Sequence, residues 1–92
     1  MIIEKLKLMN GCGLHARPAS DFVREAAKYS SSIKIRNIST PTDWVDAKSI
    51  LSILTLGVEN NHSIELKFDG NDEVDASQAL VHMINQFNIN HR

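Results

Sequence analysis

The stretch Ile2-Ile3-Glu4-Lys5-Leu6-Lys7-Leu8 is followed, beyond Asn10-Gly11-Cys12-Gly13, by Ala19-Ser20-Asp21-Phe22-Val23-Arg24-Glu25-Ala26-Ala27-Lys28. The two ends of this run have different periods. Ile2, Leu6 and Leu8 share one side of an alternating segment and Lys5 and Lys7 the other, which predicts a half-buried strand over Ile2–Leu8. The Asn-Gly-Cys-Gly segment breaks the alternation as a loop. After it, Ala19, Phe22, Val23, Ala26 and Ala27 fall on one helical stripe, with Asp21, Arg24, Glu25 and Lys28 outside it. Pro18 belongs at the start of that helix, where its missing N–H costs nothing.

Working outward, Tyr29 to Ser32 closes the helix, and Ile33 and Ile35 against Lys34 and Arg36 form a second strand. Residues 37–43, with Ser39, Thr40, Pro41 and Thr42, read as a turn or loop, and Trp44-Val45 as a short third strand. Ile50, Leu51, Ile53, Leu54 and Leu56 are too dense for alternation. They predict a short helix over Lys48–Leu56 with Gly57 as its C-cap. Asn60-Asn61 is a turn. Ile64, Leu66 and Phe68 alternate with Ser63, Glu65 and Lys67 as a fourth strand. Asp69-Gly70-Asn71-Asp72 leads into a last helix carrying Ala76, Ala79, Leu80, Met83, Ile84 and Phe87, with Asn71 or Asp72 as its N-cap. Residues 88–92 are expected to fray.

One-faced strands need a cover, and amphipathic helices supply it. The economical architecture is an α+β two-layer sandwich, with helices on one face of a mostly antiparallel sheet. The other face, carrying Lys5, Lys7, Lys34, Arg36, Glu65 and Lys67, is expected to meet solvent. With 92 residues there is room for one domain over 1–92 and none for a second. The formal charge of −1 gives no bulk signal for nucleic acid or membrane. The N-terminus lacks a signal-peptide layout, and no apolar run approaches the roughly 20 residues a bilayer requires. A single cysteine, Cys12, excludes an internal disulfide and suits a reducing cytoplasm.

The segment Gly13-Leu14-His15-Ala16-Arg17-Pro18-Ala19-Ser20 is where chemistry is expected. His15 stands where a glycine-rich loop meets a helix. That junction offers unpaired amides and the positive end of a helix dipole, together an anion site. Arg17 can present a planar fork of donors to phosphate oxygens. A neutral imidazole nitrogen is a nucleophile toward phosphorus, and the dipole and Arg17 resist protonation of the ring. On the residues alone, His15 also has an ordinary reading as a cap or surface residue. Cys12 reads as a loop filler and His82 as a surface residue. Met83 and Phe87 read as a core pair, and Trp44 as an exposed contact or a cover for the sheet edge. His62, His82 and His91 are scattered, so no metal set forms with Cys12.

Gly13-Leu14-His15-Ala16-Arg17-Pro18-Ala19 resembles the active-site signature of the HPr family, the histidine phosphocarriers of the bacterial phosphotransferase system. Lys48-Ser49-Ile50-Leu51, followed by Leu56-Gly57, resembles the family's regulatory serine segment, with a few more residues than usual between the two. The resemblance implies an open-faced βαββαβα fold and a phosphoryl group carried on Nδ1 of His15. Enzyme I, fed by phosphoenolpyruvate, would supply that group, and IIA components of sugar permeases would receive it. Ala16 and Arg17 would hold the phosphate, Pro18 would set the helix start, and Ser49 would be the target of a serine kinase. Ser20, Arg24, Ile50, Leu51, Leu54 and Thr55 would form the docking surface. The resemblance implies a cytoplasmic monomer that needs no cofactor, acting as a carrier and not as a complete enzyme. Its rival within the family is a regulatory paralogue that works mainly by protein binding.

Overall fold

The computed structural model describes residues 1–89. Four strands, β1 (Ile2–Lys7), β2 (Ser32–Asn37), β3 (Val45–Asp46) and β4 (Ser63–Asp69), form one sheet. Three helices, α1 (Ala16–Ala26), α2 (Ile50–Thr55) and α3 (Glu73–Ile89), lie between and after them in the order βαββαβα. The sheet order is β1-β4-β2-β3, and every pairing is antiparallel. The register follows the alternation: Leu66 of β4 lies between Glu4 and Ile35, and Lys67 between Ile3 and Lys34. Ile33, Ile35, Ile64, Leu66 and Phe68 are buried beneath the helices with Phe22, Ile53, Leu80 and Ile84. Lys5, Lys7, Lys34, Arg36, Glu65 and Lys67 share the uncovered face.

Several boundaries differ from the sequence reading. The first strand ends one residue early, at Lys7, although Leu8 is fully buried. Helix α1 begins at Ala16, before Pro18, because His15 takes the extended N-cap conformation. Strand β3 is Val45–Asp46, so Trp44 precedes it. Helix α2 is shorter than Lys48–Leu56: Ser49 is the N-cap, its hydroxyl accepting the Ser52 amide at 3.3 Å, and Leu56 is the C-cap. Gly57 follows Leu56 at φ +60°, where the chain turns back.

Asp72 directly precedes α3, and its carbonyl accepts the Ala76 amide at 2.9 Å. Its carboxylate serves another element. The Ser31 hydroxyl and the amides of Ser30 and Ser31 all donate to it, bracing the connection from α1 to β2. Those donors, the Ser31 hydroxyl foremost, hold the Asp72 carboxyl down at about 2. The expected fraying at residue 88 does not occur. Asn88 is helical, donates to the Lys7 carbonyl at 2.9 Å and accepts the Met9 amide at 2.6 Å, fastening α3 to the end of β1. Ile89 ends α3, and residues 90–92, with His91, lie outside the described residues.

Residues 37–44 are organised by one buried side chain. Asn37 is fully buried; its Oδ1 accepts the amides of Ser39 and Thr40, and its Nδ2 donates to the Leu56 carbonyl at 3.2 Å. The turn that follows delivers Trp44 to the open face of the sheet, where the guanidinium of Arg36 and the ammonium of Lys67 lie 4.6 and 4.5 Å from the ring centroid. Trp44 therefore covers the face of the sheet and not its edge.

Candidate phosphate-acceptor site

The loop before α1 is shaped by Asn10, a buried residue whose Oδ1 accepts the Gly13 amide at 2.6 Å and the Cys12 amide at 3.2 Å. Its Nδ2 returns a bond to the Gly13 carbonyl at 2.9 Å. An asparagine heading a tight loop in this way is an Asx turn, a signal present in the sequence but unused in reading it. Gly13 sits at φ +71°, and a Cβ there would stand 2.1 Å from the Val58 carbonyl oxygen. Only glycine permits that approach. It allows the Leu14 amide to donate to Val58 at 3.0 Å, so the loop is pinned to the segment leaving α2. On the other side, the Gly11 amide donates to Asn60 Oδ1 at 2.9 Å.

This bracing ends at His15, the N-cap of α1, at φ −87° and ψ −170°. Its carbonyl accepts the Ala19 amide at 2.9 Å, but its side chain makes no capping bond, and the residue is exposed. The first turn therefore keeps its anion-binding capacity. Among the described residues the Ala16 and Arg17 amides have no protein acceptor, and Pro18 has no N–H to offer. Arg17 is exposed, and no carboxylate of the described residues pairs with it. Ala16, Arg17, Ser20, Asp21 and Arg24 line a surface cleft of about 400 Å³ beside the helix start. Arg24 is tied to Asp21 at 3.3 Å, which leaves Arg17 as the unengaged guanidinium of that cleft. The site thus offers an uncommitted imidazole, two amides at the positive end of an eleven-residue helix, and a fork of cationic donors.

Helix α2 packs beside α1. Leu51 is 74% exposed, Leu54 41% and Ile50 36%, with Thr55 also exposed. Only Ile53 of this helix is buried. Three large apolar side chains facing solvent on one short helix form a patch of the kind that partners cover. Ser49 is at the far end of α2 from the Val58 tie, a helix length of about 9 Å away. Asp46 lies close to Ser49, since its carbonyl accepts the Ser49 amide at 3.2 Å. Cys12 is exposed in the loop, and no group of three or more His, Cys, Asp or Glu among the described residues could hold a metal. His82 is on the surface, and Met83 and Phe87 are partly buried against the core. No helix among the described residues is long and apolar enough to cross a membrane.

The family of PTS HPr component phosphorylation sites matches residues 3–86. This chain belongs to the HPr family of phosphocarriers. It is 31% identical over 87 residues to the phosphocarrier protein HPr of Neisseria meningitidis serogroup A, covering 95% of this chain and 94% of that one. It is 39% identical over 79 residues to the multiphosphoryl transfer protein of Vibrio cholerae; that match takes in 86% of this chain but only 20% of the relative's length. The HPr-like protein Crh of Halalkalibacterium halodurans is 36% identical over 84 residues, 91% of this chain and 96% of its own. The crystal structure of HPr-C-His from Thermoanaerobacter tengcongensis superposes with a TM-score of 0.90 at 37% identity, covering 100% of both chains. The open-faced βαββαβα fold that the resemblance implied is thus the fold observed.

Proposed function

We propose that this HPr-family chain accepts a phosphoryl group on Nδ1 of His15 from phospho-enzyme I and hands it to IIA components of sugar permeases in the cytoplasm. The observation that carries this reading is the uncommitted His15 ring at the N-terminus of α1, beside the open amides of Ala16 and Arg17. In the transfer, the lone pair of neutral Nδ1 attacks phosphorus in line with the bond to the donor. The N–P bond forms at His15 as the donor bond breaks, and the donor keeps that bond's electron pair. The proton on Nε2 stays in place. Charge spread over the phosphoryl oxygens is met by the two amides and the Arg17 guanidinium, so the site supplies position and electrostatics. The second transfer is the same step reversed toward the next partner.

Ser20, Arg24, Ile50, Leu51, Leu54 and Thr55 supply the docking surface in this reading. The exposed leucines give a modest apolar contact suited to a partner that must leave quickly. The similarity to Crh supports a second reading, in which that surface regulates by binding, with Ser49 as its modified residue. A phosphate on Ser49 would bring a charge of about −1.5 to −2 close to Asp46, at the N-terminus of α2 where its oxygens could accept the Ser52 amide. One experiment tests whether His15 accepts phosphate, on which the carrier reading depends. The protein is incubated with phosphoenolpyruvate and enzyme I, with His15→Ala as control, and weighed intact. The carrier reading expects one acid-labile phosphate on the wild type alone. A folded wild type that gains none with its cognate enzyme I would leave the binding role.

A further inference from the structure

The net charge of −1 conceals a segregation that the strand alternation predicts and the register bears out. Lys5 and Lys7 of β1, Lys34 and Arg36 of β2 and Lys67 of β4 all stand on the sheet face away from the helices, half of the chain's ten Lys and Arg. Lys34 lies directly opposite Lys67, a like-charge pairing that costs stability. The acids of that face offset it only in part. Glu65 lies opposite Lys5 and is held by Arg36 at 2.5 Å, Asp46 lies opposite Lys34 and accepts the Lys48 amide at 2.9 Å, and Asp69 is at the strand end, three carboxylates against five cations. No carboxylate of the described residues forms an ion pair with Lys5, Lys7, Lys34 or Lys67. Across this basic field lies the indole of Trp44, half-buried and resting over Arg36 and Lys67.

We propose that the open face of the sheet binds single-stranded nucleic acid, with Trp44 stacking on a base and Lys5, Lys34 and Lys67 holding phosphates. Lys34 and Lys67 are neighbours, but β1 and β2 flank β4, so Lys5 stands about 10 Å from Lys34 across the sheet, and the set as a whole has a spread that a polyanion spans. An acidic peptide would meet the charge but has no use for an indole laid flat among the cations. A membrane would favour a projecting ring, whereas Trp44 is folded down on the sheet. Aromatic stacking combined with a cationic track is the physical basis of binding single strands without sequence preference. This departs from the expectation drawn from bulk charge, because a composition average cannot see which face a residue occupies.

Trp44 is the sole tryptophan, so the protein reports on itself. An oligothymidylate of roughly ten nucleotides is titrated into the full chain. Intrinsic fluorescence is followed, with anisotropy of a labelled strand read in parallel. Stacking should quench the indole. With three lysines on phosphates, binding should weaken about 20-fold between 50 and 200 mM salt. Trp44→Ala should weaken binding by about 5- to 150-fold. Lys34 lies between Lys67 and Asp46, so Lys34→Gln removes one repulsion and one attraction; it should weaken binding while leaving the melting temperature little changed. Absence of quenching overturns the proposal. So does polyglutamate binding as tightly as the oligonucleotide with no loss in Trp44→Ala, which would make the face a surface for acidic proteins. Binding to phosphatidylserine vesicles but not to the oligonucleotide overturns it in favour of a lipid surface.

Discussion

Replacing Gly13 with alanine should be far more damaging than replacing Gly57, although both sit at positive φ, +71° and +60°. An L-residue in that region costs about 1–2 kcal/mol, and both variants bear it. They differ in their surroundings. A Cβ at Gly57 meets nothing within 4 Å, whereas at Gly13 it would stand 2.1 Å from the Val58 oxygen and 2.6 Å from Glu59 Cα. The backbone must separate there, and the Leu14 to Val58 hydrogen bond goes with it, worth about 1 kcal/mol. Gly13→Ala should therefore cost about 2–4 kcal/mol in all, and Gly57→Ala about 1–2 kcal/mol. For a domain of this size these correspond to melting temperatures lower by roughly 10–30 °C and 5–15 °C. Thermal unfolding followed by circular dichroism gives the comparison directly. His15 is the second residue beyond Gly13, so phosphate acceptance should slow in the Gly13 variant and hardly change in the Gly57 variant. Equal destabilisation of the two, within about 0.5 kcal/mol, would refute the claim that close approach to Val58 shapes the loop.

Arg17→Ala should slow phosphate acceptance by about 10- to 100-fold, with Arg17→Lys recovering only part because an ammonium lacks the planar fork; rapid-quench transfer assays measure both. Leu51→Asp should leave stability within about 0.5 kcal/mol, since the side chain is 74% exposed, yet weaken enzyme I binding tenfold or more by calorimetry. Ser49→Ala should cost about 1 kcal/mol through the lost cap, and Ser49→Asp should weaken enzyme I binding; unchanged affinity in the latter would remove Ser49 as a switch. Asp72 is held at about 2 against an ordinary 3.8, so the stability it contributes is complete above pH 3.8 and lost as pH falls toward 2. Denaturant midpoints measured across that window should drop in the wild type and run flatter in Asp72→Asn.

The sheet and its cover were legible because both periods are clean. Lys-for-apolar alternation in β1, β2 and β4 left one arrangement that buries Ile33, Leu66 and Phe68 together. The candidate acceptor motif was legible because it is local, seven consecutive residues from Gly13 to Ala19. What escaped depends on partners distant in sequence. Asp72 looked like the cap of its own helix, but its carboxylate reaches Ser30 and Ser31 across the fold. Asn88 looked like a frayed end, but Lys7 and Met9 hold it, about eighty residues away. Asn10 reads in the sequence only as the start of a loop, yet its side chain sets the loop that presents His15. Trp44 was ambiguous because its position follows from how Asn37 folds the turn before it.

The central claim is that a single ring nitrogen carries the phosphoryl group. The most direct measurement is nitrogen NMR of the histidine-labelled protein after phosphorylation by enzyme I and phosphoenolpyruvate. The account predicts a one-bond nitrogen–phosphorus coupling at Nδ1 of His15, with the other three histidine rings, His62, His82 and His91, unchanged. Coupling at any of those three, or none in a sample shown by mass to be phosphorylated, would contradict it.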